Sequence, residues 1–201
     1  MPKKVLNIAA GKLKPIDPLG KNYFLINLDK MYHEASKQSY IEAVNDERKD
    51  EKSSFFGKDC IYRINEDAFS FMETISFKFD EIVCYRFLEH IEKDKVLYFI
   101  YLMSTCLEVG GIVDIIVPDY GILASSILSE IPGGTGWEAH DILVTTEMLN
   151  FPGDPHASIW TSKRLKYFFE LEGRFKVNHI QQNFEFDGRN IYLRMIAERI
   201  K

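Results

Sequence analysis

Residues 81–118 read EIVCYRFLEHIEKDKVLYFIYLMSTCLEVGGIVDIIVP, and this stretch decides the fold. Residues 81–85 (EIVCY) and 112–117 (IVDIIV) are short apolar runs, the pattern of strands buried on both faces of a parallel sheet. Between them Val96, Phe99, Ile100, Met103 and Leu107 recur at i, i+3, i+4, i+7 and i+11. That spacing predicts a helix over 91–108 that packs one broad apolar face on the sheet. Gly110 and Gly111 lead into the second strand and Pro118 stops it. A strand, a covering helix and a second strand form one βαβ unit.

Working outward, residues 4–9 (KVLNIA), 23–28 (YFLINL) and, more weakly, 60–64 (CIYRI) read as three further parallel strands. Thr161-Ser162 can cap a helix over 163–172, ended by Gly173. Two β-rich segments, 175–181 and 189–197, then flank Asp187-Gly188, a hairpin turn signal. The expected architecture is α/β: a three-layer Rossmann-like sandwich with a mostly parallel seven-stranded sheet and a C-terminal antiparallel hairpin. Residues 1–201 make a single domain, with 120–160 read as a lid that completes the acceptor site.

Composition agrees with a globular chain. Of 201 residues, 46% are hydrophobic and 27% charged, well outside the disordered regime. The formal net charge is −5, which gives no global basic field for non-specific nucleic-acid binding, and the acid and aromatic content of residues 120–160, with few Lys or Arg, argues against a nucleic-acid acceptor. The longest nearly apolar run, 96–107, is too short to span a bilayer, which needs about 20 residues. The N-terminus shows no signal peptide. Cys60, Cys84 and Cys106 are scattered among apolar neighbours, so they read as reduced core thiols of a cytoplasmic protein. No metal site is expected from this spacing. Residues 45–54 (NDERKDEKSS) read as a solvated surface segment.

Ligands of open parallel sheets bind beyond the carboxyl ends of the strands. After the first strand come Ala9, Ala10 and Gly11, small residues that let a backbone approach a ligand closely. Asp29 ends the second strand, 18 residues after Gly11, where a carboxylate can accept both hydroxyls of a ribose. After the third come Glu66, Asp67, Ala68 and Phe69, an acid for an exocyclic amine beside an apolar ring. Asp67 reads equally as a loop cap. Together these residues outline a nucleoside pocket.

On these residues the chain resembles the class I S-adenosylmethionine-dependent methyltransferases, in a type 11-like form with a short first helix. Residues 5–11 (VLNIAAG) look like the family's first motif, 79–91 (FDEIVCYRFLEHI) like its fourth strand and "LEH" element, and 107–119 (LEVGGIVDIIVPD) like its Gly-Gly turn and fifth strand. Residues 156–175, with Trp160-Thr161 and Glu172-Gly173-Arg174-Phe175, look like its late histidine–helix–GF element. Asn7 stands where the family has an acid, Ala9 and Leu13 where it has glycines, and Pro15 and Pro18 forbid a long regular helix after the first strand. A nicotinamide enzyme uses the same sheet edge but normally needs the third glycine, which Leu13 replaces.

The resemblance implies that Ala9, Ala10 and Gly11 line the methionine part of S-adenosylmethionine and that Asp29 holds its ribose. Asp67 and Ala68 would read the adenine, and Tyr85 and Arg86 would flank the transferable methyl. The implied function is methyl transfer to a small-molecule, sugar or nucleotide acceptor. The degraded first motif motivates the alternative of a family fold that has lost catalysis and serves as a binding or scaffold protein. Candidate catalytic groups at the edge are His156, Tyr120 and His90, with His156 the leading base because it lies in an irregular segment beside a rigid edge. Glu89 is expected to fix its loop. Tyr120, Trp137, Phe151 and Trp160 read either as an aromatic wall for the acceptor or as core.

Overall fold

The computed structural model of the chain describes residues 3–8, 23–28, 60–64, 66–128, 156–186 and 188–201. In chain order these form β1 (Lys3–Ile8), β2 (Tyr23–Leu28), β3 (Cys60–Ile64), α1 (Ala68–Thr74) and β4 (Phe79–Tyr85). A 3-10 turn (Leu88–His90), α2 (Val96–Cys106), β5 (Leu107–Pro118), α3 (Tyr120–Leu128), α4 (Ser162–Glu170), β6 (Phe175–Phe186) and β7 (Arg189–Arg199) follow. The seven strands make one sheet in the order β3-β2-β1-β4-β5-β7-β6. The first five run parallel, and β7 is antiparallel to both β5 and β6. The chain moves outward one way from β1 and the other way from β4, so the topological switch lies between them. A ligand crevice is expected beyond their carboxyl ends.

The two sheet faces are built differently. On one, Leu6, Ile8, Ile82, Cys84, Val113, Ile115, Leu193 and Met195 form a continuous buried cluster with Phe71 and Met72 of α1, Phe99 and Met103 of α2, and Leu165 and Phe169 of α4. The other buries Val5, Leu25, Val83, Tyr85, Ile116 and Tyr192, with Tyr120 of α3. Polar groups share this second face. Asp114 is 2% exposed, accepts from the Tyr85 hydroxyl at 2.6 Å, and takes a two-pronged contact from Arg194 (Nε–Oδ1 3.0 Å, Nη2–Oδ2 2.7 Å). Asn7, also buried, donates from Nδ2 to Asn27 Oδ1 at 2.9 Å on the paired strand.

Several boundaries differ from the sequence reading. The helix expected over 91–108 starts five residues later and ends two earlier, and the 3-10 turn lies just before its predicted start. Leu107 continues the helical spacing but pairs with Phe79 and opens β5. The strand therefore runs through the glycine pair instead of starting after it. A register shift between Phe79 and Glu81 accommodates this passage. Gly110 sits at φ +85°, and a Cβ on Gly111 would lie 2.9 Å from the Glu108 carbonyl oxygen and 3.2 Å from that of Asp80. Only glycine fits this bulge. Residues 120–128, read as the start of a lid, form α3; 129–155, the remainder of that segment apart from residues 156–160, lie outside the described residues. The hairpin strands are longer than expected: β6 and β7 pair from Phe175–Arg199 to Phe186–Arg189, and residues 192–198 of β7 also pair with β5.

Cys84 and Cys106 are free and buried. Among the described residues no helix is long and apolar enough to cross a membrane. Burial pushes both thiols up, Cys106 to about 11 and Cys84 further, with the Glu89 charge adding to the Cys84 shift.

Two outcomes follow for stability. Removing one partner from a buried pair costs about 3–5 kcal/mol, whereas losing one charge-assisted hydrogen bond costs about 1.5–3 kcal/mol. Arg194→Met should therefore destabilise more than Tyr85→Phe in urea unfolding; the reverse order would remove the Asp114–Arg194 pair from its central place. For the thiols, a folded pKa above the unfolded value of 9.0 gives stability that is complete below pH 9 and is lost as pH rises towards the folded value. The fall in melting temperature between pH 9 and 11 should be shallower in Cys106→Ala than in the parent chain. Parallel curves would show that this thiol does not shift.

Candidate active site

At the end of β4 the chain leaves the sheet in one step. Tyr85 turns its ring under the sheet to Asp114, while Arg86 adopts a left-handed conformation (φ +54°) with an exposed side chain. The Arg86 amide still donates to Ile116 O at 2.7 Å, so the turn is anchored to β5 as it bends away. Phe87 then packs its ring 5.5 Å from Phe99 of α2, and Leu88, Glu89 and His90 make the 3-10 turn. Leu88 and Glu89 are fully buried; the His90 side chain is 20% exposed.

A distant segment is tied onto this turn. The amides of Ala157 and Ser158 both donate to the Glu89 carbonyl, at 2.7 and 2.9 Å, and the Ser158 hydroxyl donates to Leu88 O at 3.0 Å. Two residues on, the Trp160 carbonyl accepts from the Tyr120 amide at 3.0 Å. These bonds deliver His156 to the turn. Its ring stands edge-on to His90 with centroids 4.9 Å apart, and its Nδ1 lies 2.5 Å from the Tyr120 hydroxyl. Glu89 Oε1 is 3.9 Å from His90 Nε2. One donor atom each from Glu89, His90 and His156 lies within 4.8 Å of the others.

The three expected catalytic residues, His90, Tyr120 and His156, are thus brought together, and Glu89 joins them. Asp119, another acid at this edge, does different work. Its Oδ1 accepts from the amides of Gly121 and Ile122, capping α3, and its Oδ2 accepts from Gln182. It holds Tyr120 at the helix start.

The expected cofactor residues divide. Ala9, Ala10, Gly11 and Asp29 lie outside the described residues. The strands that lead to them end side by side, Ile8 against Leu28 and Leu28 against Ile64. Asp67 is the N-cap of α1, its Oδ1 accepting from Phe69 N at 3.0 Å and Ser70 N at 3.3 Å. That is the loop-cap alternative for this residue. Ala68 is buried behind it, and Phe69 packs on Phe99 with centroids 5.2 Å apart. Tyr85 comes to the edge by backbone only, since its side chain is spent on Asp114. Trp160 is core: it is fully buried, with Phe168 against its ring and Arg164 over it. Trp137 and Phe151 lie outside the described residues.

Sequence reading missed the Asp114–Arg194–Tyr85 network. Its only trace was an acid inside an apolar strand, IVDIIV, which a buried strand tolerates only if a partner faces it.

No family model and no curated protein sequence matches the chain. Solved structures do. The 1,6-didemethyltoxoflavin-N1-methyltransferase of Burkholderia thailandensis, with S-adenosylhomocysteine bound, superposes with TM-score 0.55 at 13% identity over 100% of this chain and 72% of that one. The plantazolicin methyltransferase BamL, also with S-adenosylhomocysteine, gives 0.56 at 13% identity over 100% and 78%. The N-methyltransferase NodS from Bradyrhizobium japonicum WM9 gives 0.55 at 12% over 99% and 79%. At these identities the likeness is one of fold. The chain has the fold of class I S-adenosylmethionine-dependent methyltransferases.

Because Asp119 acts as a cap, Asp119→Ala should cost about 1–2 kcal/mol of stability in chemical denaturation, while Asp119→Asn retains most of it. Equal stability of the two variants would show that the carboxyl does not hold α3.

Proposed function

We propose that the chain is an S-adenosylmethionine-dependent methyltransferase acting on a small-molecule, sugar or nucleotide acceptor. The observation that carries this reading is the joining of His90, Tyr120 and His156 just past β4, next to the topological switch of a methyltransferase fold. Buried reduced thiols fit a cytoplasmic setting.

The donor set fits the cofactor's chemistry. Asp67 is an acid just past β3, with Ala68 and the apolar ring of Phe69 following it. With Asp29 for the ribose and Ala9, Ala10 and Gly11 for the methionine part, these residues would hold the cofactor, and the backbone at Tyr85 and Arg86 would border its methyl. When bound, S-adenosylmethionine supplies a methyl already activated on a sulfonium, which departs leaving the C–S electron pair on sulfur.

What remains for the protein is to orient the acceptor, exclude water and receive a proton. In the tautomer where His156 Nδ1–H donates to the Tyr120 hydroxyl, Nε2 keeps a lone pair and takes the proton that an acceptor hydroxyl or amine loses. Tyr120 orients the ring, being itself held by the Trp160 carbonyl and the Asp119 cap. His90, edge-on to His156, borders the same space.

Calorimetric titration with S-adenosylhomocysteine is the first test: binding is expected, and no heat at millimolar ligand would end the proposal. Asp29→Ala should weaken binding about tenfold or more, or 1.4 kcal/mol per decade. His156→Ala should leave that affinity unchanged and lower labelled-methyl transfer across an acceptor panel by roughly 10²–10⁴-fold. Tight binding with no transfer by the parent chain would favour the scaffold reading, for which the Asn7–Asn27 pair in place of the family's acid is the supporting observation.

A further inference from the structure

We propose that Glu89, His90 and His156 form a binding site for one divalent transition-metal ion, with Tyr120 as its outer-shell support. The inference deepens the reading of this cluster as the acceptor side of the site, and it changes the expectation, drawn from cysteine spacing, that the chain holds no metal.

The donor chemistry is specific. Two imidazoles and one carboxylate are the set that binds zinc and its first-row neighbours in three-ligand sites, leaving a fourth position for water or substrate. Ligand atoms around a tetrahedral ion lie about 3.4 Å apart when each bond is 2.0–2.1 Å. Here one donor atom from each residue falls within 4.8 Å of the others, and Glu89 Oε1 to His90 Nε2 is 3.9 Å. Bringing the outermost donors from 4.8 Å to the tetrahedral spacing takes at most about 1.4 Å, within the reach of side-chain rotation.

The scaffold is rigid at both ends. Glu89 and His90 are adjacent on a 3-10 turn whose carbonyls carry three hydrogen bonds from Ala157 and Ser158. His156 precedes those two residues directly, so the bonds that clamp the segment also aim its ring. The Tyr120 hydroxyl at His156 Nδ1 is the outer-shell contact that sets tautomer and orientation and leaves Nε2 to coordinate. Glu89 adds the strongest electrostatic argument. Its carboxylate is fully buried, and a divalent cation offsets the cost of burying a charge.

A metal here would bind the acceptor's oxygen or nitrogen and lower its pKa, so that the proton leaves to solvent and the heteroatom's lone pair forms the bond to the methyl carbon. The imidazoles then act as ligands. Chelation separates the two modes: a metal-dependent transfer is lost with chelator and restored by the ion, while an imidazole-only transfer is unaffected.

The direct test needs no acceptor. The full chain, stripped with chelator and dialysed, is titrated with Co2+ and followed by calorimetry and visible absorption, then challenged with Zn2+. One Co2+ per chain, with ligand-field bands displaced by Zn2+, is expected. Glu89→Gln, His90→Asn and His156→Gln should each weaken binding at least tenfold, with far-UV circular dichroism showing that each is folded. His90 is partly exposed, so His90→Asn keeps the test open should the buried variants fail to fold. Absence of stoichiometric binding overturns the proposal, as does unchanged affinity in His90→Asn and His156→Gln, which would place the ion elsewhere. S-adenosylhomocysteine titration of the same stripped chain reports the methyltransferase reading separately, so either can fail alone.

Discussion

Three hydrogen bonds and one buried indole hold the site together. Residues 156–160 reach the turn after β4 only because the amides of Ala157 and Ser158 and the Ser158 hydroxyl find the carbonyls of Leu88 and Glu89. Those bonds contribute about 1 kcal/mol net each. Burying Trp160 completely removes roughly 150–250 Å2 from water, about 4–6 kcal/mol at ~25 cal/mol/Å2. Apolar burial therefore supplies most of the stabilisation, and the hydrogen bonds set the register. Without that register His156 would not meet His90 or Tyr120.

The sheet beneath explains why this edge is rigid enough to use. One face is apolar and covered by α1, α2 and α4. The other carries the Asp114–Arg194 pair, which ties parallel β5 to antiparallel β7 where the sheet changes direction. A buried pair of this kind adds little net stability but penalises any slip between the strands, since a one-residue shift would strand both charges. The β5 tip carries Asp119 and Tyr120, so a strand held in register fixes one side of the site while the clamp on the 3-10 turn fixes the other.

Where sequence and structure part, a long-range contact has overridden a local pattern. The i, i+3, i+4 spacing of residues 96–107 is helical to its end, yet Leu107 is in a strand because it pairs with Phe79 of β4. Residues 91–95 read as helical, but α2 starts only at Val96, after the 3-10 turn that accepts the 157 and 158 amides. Asp67 had two readings, and the cap geometry it adopts is local: an aspartate two and three residues before the amides of a starting helix.

The sequence by itself determined the α/β class, five parallel strands, the closing hairpin and the residues that border the carboxyl edge. All of these follow from short-range signals visible within a window: short apolar runs for the parallel strands, a 3.6-residue period for the covering helix and an Asp-Gly turn for the hairpin. It also named His90, Tyr120 and His156, though as separate candidates. Only the tertiary structure decided that they share one cluster with Glu89, that Asp119 is a cap, that Trp160 is core and that Asp114 faces Arg194. The cluster and the Asp114–Arg194 pair join residues 30 to 80 positions apart, and which of them meet depends on strand order and on the path of the intervening chain, which no local pattern encodes.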